Sequence, residues 1–203
     1  MQTKPLRYLA IGDSYTIGES VPASKNFPTQ TKGFLKKAGI QMDKPTIIAK
    51  TGWTTDELQD KLSTVRLAIP YDFVTLLIGV NNQYRERSSD EYAQQFEELL
   101  QQAIDYAGSK TNHVIVLSIP DWGATPFAEG RDRKQIAKEI DVFNSINERI
   151  SKQYKVPYIN ITPFTREAAR DKTLVAKDGL HPSGKDYARW AEKVKEVMIK
   201  ELK

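Results

Sequence analysis

Short apolar runs alternate along the chain with segments in which apolar residues recur at helical spacing. The clearest run covers residues 72–78, and a similar one covers residues 6–11. Continuous apolar runs of this length are typical of strands that are buried on both faces of a sheet. The predicted strands are residues 6–11, 45–49, 72–78, 114–119 and 156–159, and the second of them is predicted to be as buried as the others.

The segments between these runs carry helix signals. Apolar residues spaced three and four apart give each segment one buried face, as in residues 92–107, which end at Gly108. Side chains that cap helix amino termini precede most of the segments. These caps are Asn26 before Pro28, Thr54 with Glu57, Ser88 with Glu91, and Ser183.

The alternation of strands and helices predicts an α/β fold. A parallel sheet of five strands, joined by right-handed crossovers and covered by helices on both faces, is a three-layer α/β/α sandwich. The chain has 203 residues and shows no internal repeat, low-complexity tract or linker. We therefore predict one domain that spans residues 1–203.

The amino-acid composition excludes several kinds of functional site. The chain has no cysteine, which excludes thiol nucleophiles, thiolate metal sites and disulfides. The net charge is +4, and the lysines are interleaved with acids, so we expect a solvated surface and no nucleic-acid partner. No apolar run approaches the ~20 residues of a membrane span. The amino terminus has no apolar signal core, so we expect a cytoplasmic protein, although a signal peptide removed beforehand would leave the same sequence.

Residues of chemical interest follow the predicted strands. The carboxyl ends of parallel strands meet at one edge of a sheet, where separate loops converge on a cleft. Taken singly, each of these residues is also a common turn or cap former. They are Ser14 after the first strand, Gly52 after the second, Asn81 after the third, Trp122 after the fourth, and Asp178 with His181 after the fifth.

A serine nucleophile needs an adjacent base. Of the two histidines, His113 begins the fourth strand, at the amino end of the sheet and away from the cleft. His181 is on the same edge as Ser14, and Asp178 lies three residues before it. That spacing lets the Asp178 carboxylate reach the Nδ1 proton of His181, which leaves Nε2 to take the proton of Ser14.

Acyl transfer also needs donors for the developing oxyanion. Gly52 offers a backbone N–H that a substrate can approach without a side chain in the way. Asn81 offers a side-chain amide, and the backbone N–H of Ser14 is a third donor. Taken singly, Gly52 is as typical of a plain turn and Asn81 of a plain loop start, so the residues alone leave this role open.

The sequence resembles the SGNH (GDSL-type) hydrolase family in four blocks that span nearly the whole chain. The resemblance implies a flavodoxin-like fold and a metal-independent serine esterase without a cofactor. It makes Ser14 the nucleophile, His181 the base and Asp178 its partner. It also implies that Ser14, Gly52 and Asn81 form the oxyanion hole. The blocks are Gly12-Asp13-Ser14, Gly52, Gly79-Val80-Asn81-Asn82 and Asp178-Gly179-Leu180-His181.

One position departs from the family pattern. The third block of the family usually ends in aspartate, and Asn82 stands there in this chain. The oxyanion asparagine, Asn81, is kept, but a role that depends on the charge of that aspartate is in doubt. Asp13, beside the nucleophile, is interpreted as structural.

Other functions have weaker support in the sequence. Dinucleotide and phosphate-loop motifs are absent, and two distant histidines do not suit a zinc site. A pair of carboxylates for glycosidase chemistry is not placed at the strand ends, apart from Asp178. A catalytically idle module that binds carbohydrate or lipid would be expected to lose a member of the Ser-His-Asp set, and none is missing. An acyltransferase would share the acyl-enzyme and stays open.

The substrate is expected to be a small-molecule ester of a short acyl group such as acetyl, on an acylated sugar or a lipid-like molecule. The sequence leaves the oligomeric state open. Large side chains beside the motifs are candidates for an apolar acyl pocket, a sugar platform or simple loop packing. These are Tyr15, Trp53, Tyr84, Arg85, Trp122 and Phe127.

Overall fold

The computed structural model describes residues 4–203, and its centre is a five-stranded sheet in which all pairs are parallel. The strand order is β2-β1-β3-β4-β5, the doubly wound order of flavodoxin-like folds. The strands are β1 (Tyr8–Gly12), β2 (Thr46–Ala49), β3 (Phe73–Leu77), β4 (Val114–Leu117) and β5 (Tyr158–Ile159). The predicted fold class is confirmed.

Helices cover both faces of the sheet. One layer contains α2 and α8, which pack against each other, and the other layer contains α3, α5 and α6. The helices are α1 (Ser14–Ile17), α2 (Phe27–Lys37), α3 (Thr55–Thr64), α4 (Val80–Tyr84), α5 (Ser89–Tyr106), α6 (Arg133–Gln153), α7 (Thr162–Arg166) and α8 (Gly184–Glu201). Within residues 4–203, the helices are all too short or too polar to cross a membrane.

The strand register brings three loops to one place. Gly12, the last residue of β1, pairs with Ala49 on β2 and with Leu77 on β3. Each of these residues lies at the end of its strand, so the chain leaves the sheet at the same level three times. The order of the strands reverses at β1, and this switch point is where open α/β sheets bind ligands.

The second strand is less buried than predicted. All four residues of β2 are half-buried, whereas every residue of β1, β3 and β4 is buried. The reason is topological, because β2 is an edge strand and has a neighbour on one side only. An apolar run reports hydrophobicity but does not report the position of a strand in the sheet.

Two helix starts have the predicted caps. The side chain of Asn26 accepts a hydrogen bond from the backbone N–H of Thr29, 2.9 Å away, at the start of α2. Thr54 and Glu57 form a reciprocal capping box at the start of α3. Both contacts satisfy amides that have no partner within the helix.

Two other cap predictions were partly wrong. Ser88 accepts from the backbone N–H of Glu91, but the carboxylate of Glu91 pairs with Arg87 at 2.9 Å. Ser183 stands at the amino terminus of α8, yet its hydroxyl donates to the carbonyl oxygen of Thr173, 2.7 Å away. In both cases a neighbouring charge or carbonyl competes with the helix amides for the capping side chain.

Candidate active site

Ser14 is the first residue of α1, directly beyond the end of β1. Asp13 caps this short helix and accepts a hydrogen bond from the amide of Tyr15 at 3.0 Å. A Cβ atom at Gly12 would lie 2.2 Å from the carbonyl oxygen of Leu77, so only glycine fits between β1 and β3 there. The strand, the glycine and the cap together hold Ser14 at the sheet edge with 4 % of its surface exposed.

Asp178 and His181 lie on a tight loop that precedes α8. The loop is closed by an antiparallel bridge between Val175 and Pro182 and by a hydrogen bond of 2.7 Å from the Ala176 amide to the His181 carbonyl. Its turn needs a left-handed residue, which Gly179 supplies with φ +72°. The loop therefore places a histidine and an aspartate side by side on a fixed backbone.

The three side chains form a hydrogen-bonded chain. Nδ1 of His181 lies 2.6 Å from Oδ2 of Asp178, and Nε2 of His181 lies 2.9 Å from Oγ of Ser14. Oδ1 of Asp178 accepts the backbone amides of Leu180 and His181, both at 3.0 Å. With Nδ1 donating to the carboxylate, Nε2 carries a free lone pair and can accept the hydroxyl proton of Ser14.

Asp178 is held as an anion. Burial alone would raise the pKa of its carboxyl group, but hydrogen bonds from Ser20, His181 and two backbone amides outweigh burial and lower the pKa to about 2. An ionised carboxylate beside Nδ1 stabilises a positive charge on the imidazole. Tyr15 covers the other side of His181, with ring centroids 4.8 Å apart.

The contact from Ser20 was missed in the sequence. Its hydroxyl donates to Oδ2 of Asp178 at 2.6 Å, across 158 residues of chain. Ser20 is exposed and lies in none of the family blocks. Nothing in the local pattern distinguishes it from an ordinary surface serine.

His113 lies far from this group, as predicted. It precedes β4, and its Nδ1 lies 2.7 Å from the carbonyl oxygen of Asp72, just before β3 begins. Its ring stacks on Phe73, with centroids 4.7 Å apart and planes inclined by 9°. These contacts belong to the amino ends of the strands, at the opposite edge of the sheet.

The three predicted oxyanion donors surround one cleft. Ser14, Gly52 and Asn81 all line it, together with His181. Nδ2 of Asn81 donates one hydrogen to the carbonyl oxygen of Trp53, 2.9 Å away, which fixes the amide. Its second hydrogen has no partner within residues 4–203. Gly52 has φ +85°, a conformation that a residue with a side chain rarely adopts.

Arg85 fastens the loop that carries Gly52. Its Nη2 atom donates to the carbonyl oxygen of Gly52 at 2.6 Å, and its Nη1 atom lies 3.3 Å from a carboxylate oxygen of Glu57. The side chain therefore connects α4 to the loop after β2. Arg85 was one of the six large residues beside the motifs that the sequence offered as pocket candidates. It holds the Gly52 loop and does not line the cleft.

The hydrogen bonds of Asn82 to Thr55 explain why an amide stands where the family usually has aspartate. It is fully buried, its Oδ1 accepts the backbone amide of Thr55 at 3.1 Å, and its Nδ2 donates to the Thr55 hydroxyl at 2.7 Å. A carboxylate could accept the first hydrogen bond but could not donate the second. Asn82 thus joins α4 to the start of α3 without a charge.

Asp13 is fully buried, and its carboxylate serves as a helix cap. Burial raises the pKa of Asp13 to about 7, although the hydrogen bond from the Tyr15 amide acts in the opposite direction. The carboxylate makes no contact with Ser14 Oγ or His181 among the hydrogen bonds of residues 4–203. Its position matches the structural interpretation.

Aromatic rings form one wall of the cleft, which has a volume of about 160 Å³. Trp122 is buried, and its Nε1 donates to Oε1 of Gln83 at 2.7 Å. Tyr84 and Phe127 lie against it, with ring centroids 5.2 and 6.0 Å from that of Trp122, and they are 45 % and 46 % exposed. Tyr15 also lines the cleft, whereas Trp53 packs against the core.

The part of the chain that the structure describes has no group of three or more histidine, aspartate or glutamate side chains arranged to hold a metal ion.

Solved structures share this fold over nearly the whole chain. The crystal structure of TesA has a TM-score of 0.73 and 18 % identity, and the match covers 95 % of this chain and 97 % of that chain. Axe2, an acetylxylan esterase from Geobacillus stearothermophilus, has a TM-score of 0.74 and 17 % identity, with coverages of 95 % and 94 %. AlinE4, an SGNH-hydrolase family esterase, has a TM-score of 0.67 and 19 % identity, and both chains are covered completely.

No curated protein sequence gives a significant match. Residues 10–189, by contrast, match the model of the GDSL-like lipase/acylhydrolase family, and this range contains every block of the motif pattern described above. Such a match over most of the chain shows that this protein belongs to the GDSL-like lipase/acylhydrolase family and is a hydrolase of ester bonds.

Proposed function

We propose that this protein is a metal-independent serine esterase that hydrolyses short-acyl carboxylic esters through an acyl-enzyme on Ser14. The observation that carries the proposal is the unbroken chain of contacts, 2.9 Å from Ser14 Oγ to His181 Nε2 and 2.6 Å from His181 Nδ1 to Asp178 Oδ2. Both distances are hydrogen-bond distances, so His181 can take the proton of Ser14 directly while Asp178 orients the imidazole.

Acylation begins when Ser14 Oγ attacks the ester carbonyl carbon and its proton passes to His181 Nε2. The ionised carboxylate of Asp178 stabilises the resulting imidazolium. When the tetrahedral intermediate collapses, the bond to the leaving oxygen breaks and His181 returns the proton to it, so that an alcohol departs. Water then attacks the acyl-Ser14 ester, His181 takes its proton and transfers it to Oγ, and a carboxylic acid is released.

The developing negative charge needs hydrogen-bond donors that are already in place. The backbone amides of Ser14 and Gly52 and the side-chain amide of Asn81 serve this role in the proposal, because all three residues line the cleft beside Ser14 Oγ. Each donor of this kind typically accounts for ~100- to 1000-fold in rate. Arg85 and the Trp53 carbonyl hold two of these donors in position before the substrate arrives.

The size of the cleft favours a short acyl group. Its volume of about 160 Å³ is below the roughly 300–1,000 Å³ of pockets that hold drug-sized ligands. Trp122 closes one side, and the hydrogen bond to Gln83 fixes its ring. The half-exposed rings of Tyr84 and Phe127 stand at the mouth, where the alcohol part of the substrate would pack.

A panel of p-nitrophenyl esters from acetyl to octanoyl tests the proposal. We expect kcat/KM to fall by at least about tenfold from acetyl to octanoyl, because each methylene that fails to fit changes the transition-state free energy measurably. The Tyr84→Ala variant, in which the mouth of the cleft is wider, should show a weaker dependence on chain length. A rate that rises with chain length would contradict the short-acyl proposal, and no hydrolysis of any ester would contradict the esterase proposal.

The same assay separates hydrolysis from acyl transfer. In the presence of an added alcohol, an acyltransferase would form a new ester in preference to the free acid, whereas a hydrolase releases mainly the acid. Chromatography of the products distinguishes the two outcomes. Nothing in the cleft favours the transferase over the hydrolase.

A further inference from the structure

Ser20 contacts the aspartate of the candidate triad from outside the family blocks. Its Oγ atom lies 2.6 Å from Oδ2 of Asp178, and Nδ1 of His181 lies 2.6 Å from the same oxygen. The other oxygen, Oδ1, accepts two backbone amides. Among the residues that the structure describes, the carboxylate has four donors: two backbone amides, the ring of His181 and the hydroxyl of Ser20. Ser20 is the one side chain of these that takes no part in proton transfer.

The backbone fixes Ser20 relative to the nucleophile. The carbonyl oxygen of Ser14 accepts the amides of Gly18 and Glu19 at 3.1 and 3.0 Å, and the Val21 amide donates to Gly18 at 3.2 Å. Ser20 sits within this tight turn, with φ +62°. The turn thus joins the segment that carries the nucleophile to the loop that carries its acid partner.

We propose that Ser20 is a positioning residue, which orients the carboxylate of Asp178 toward His181 and disperses part of its negative charge. The proposal rests on the proposed function, because it assigns Asp178 and His181 their catalytic roles. A carboxylate can rotate about its terminal bond, and the two backbone amides hold only Oδ1. The hydroxyl of Ser20 holds Oδ2 in the plane in which it meets Nδ1.

The charge effect has a definite sign. A hydroxyl that donates to Oδ2 draws electron density from the oxygen that faces His181. Without the hydroxyl, more negative charge faces the ring of His181, and this charge stabilises the protonated imidazole. The neutral imidazole, which acts as the base, is therefore protonated at a higher pH. The acid limb of the kcat/KM–pH profile should therefore shift to higher pH when Ser20 loses its hydroxyl.

Other ionisable groups surround this pair from neighbouring elements. They remain in place when Ser20 is changed, so they contribute equally to the wild type and the variants. Glu19 precedes Ser20 in the chain, and its carboxylate accepts from the Thr51 hydroxyl. His181 also lines a small pocket together with Tyr15, Asp121 and Asp186, and Asp13 caps α1 next to Ser14.

Ser109 provides a matched control. It is also exposed, it is also the third residue after a helix, and its φ of +64° is nearly that of Ser20. The preceding residue, Gly108, packs near Pro70, before β3 and at the edge of the sheet away from the cleft. Replacing either serine with glycine removes a hydroxyl from the same backbone conformation, and glycine adopts that conformation without strain.

The experiment compares Ser20→Gly and Ser20→Ala with Ser109→Gly on p-nitrophenyl acetate. For both Ser20 variants we expect kcat to fall about tenfold, as for the loss of one hydrogen bond to a charged group. KM should change little. The acid limb of the kcat/KM–pH profile should shift to higher pH by about half a pH unit. The most downfield NMR proton, from the Asp178–His181 hydrogen bond, should shift in the Ser20 variants only.

Two outcomes would overturn the inference. One is wild-type kcat and an unmoved acid limb in both Ser20 variants, and the other is an equal loss in Ser109→Gly. Measuring Ser14→Ala in the same assay distinguishes a failure of the positioning role from a failure of the proposed esterase function. If it is inactive while the Ser20 variants match the wild type, the positioning role fails alone, and if it is active, the proposed function itself fails.

Discussion

Replacing Ser14 with alanine is expected to reduce ester hydrolysis by at least about 10⁴-fold, to the level of residual binding and oxyanion stabilisation. The substitution removes Oγ, the atom that lies 2.9 Å from His181 Nε2. The main chain at position 14 and its amide stay in place because Asp13 caps the helix through the next residue. Initial rates on p-nitrophenyl acetate measure the effect.

Ser24→Ala is the control for this substitution. Ser24 is exposed and lies in a short 3-10 turn on the same segment of chain, outside the cleft. Its removal should leave kcat unchanged, and both variants should keep the circular dichroism and unfolding temperature of the wild type. Wild-type turnover in a folded Ser14→Ala protein would show that another group is the nucleophile.

The second large effect is expected for Asp178→Asn, which should lower kcat by ~10⁴-fold. The two backbone amides hold an oxygen at Oδ1, so the new NH₂ group would face Nδ1 of His181. A donor in that place forces Nδ1 to accept, and the proton then resides on Nε2, where it blocks transfer from Ser14. Steady-state kinetics at saturating substrate measure the loss in kcat.

Asp171→Asn is the matched control for the loss of a carboxylate. Asp171 also has its pKa lowered to about 2, through hydrogen bonds from Thr173 and Lys185. It lies just before the Asp178 loop but outside the cleft. Its substitution should leave kcat within about twofold of the wild type. A kcat that is equally insensitive to Asp178→Asn would mean that His181 is oriented by something else.

Much of the fold follows from local sequence pattern. The β1 and β3 runs predicted buried strands because a strand that is apolar on both faces must be covered by other layers on both faces of the sheet. The pattern could not identify β2 as the edge strand, because strand order depends on long-range pairing. It also could not show that the Ser183 hydroxyl donates to Thr173 instead of accepting from α8.

The candidate site also has contacts that the sequence predicts and contacts that it does not. Ser14 and His181 are 167 residues apart, but strand ends in a parallel sheet converge, so their meeting could be predicted. The contacts from Ser20 to Asp178 and from Arg85 to Gly52 depend on the paths of irregular loops. Arg85 stands close to the third block in sequence, but that position does not indicate its partner Gly52. Ser20 has no distinctive neighbour in sequence, and only the three-dimensional arrangement shows its contact with Asp178.

Asn82 shows that a departure from a family pattern can be explained by hydrogen-bond chemistry. The side chain both accepts from and donates to Thr55, which an ionised aspartate cannot do. From the sequence, only the loss of a charge was evident. The partner on α3 supplies the reason why the amide is accommodated.

The most direct test of the account is rapid-quench mass spectrometry of the wild-type protein with p-nitrophenyl acetate. The account predicts a burst of nitrophenol and one acetyl group on the protein, located on the peptide that contains Ser14 and absent from Ser14→Ala. Turnover without an acetylated intermediate, or with the acetyl group on any other residue, would contradict it.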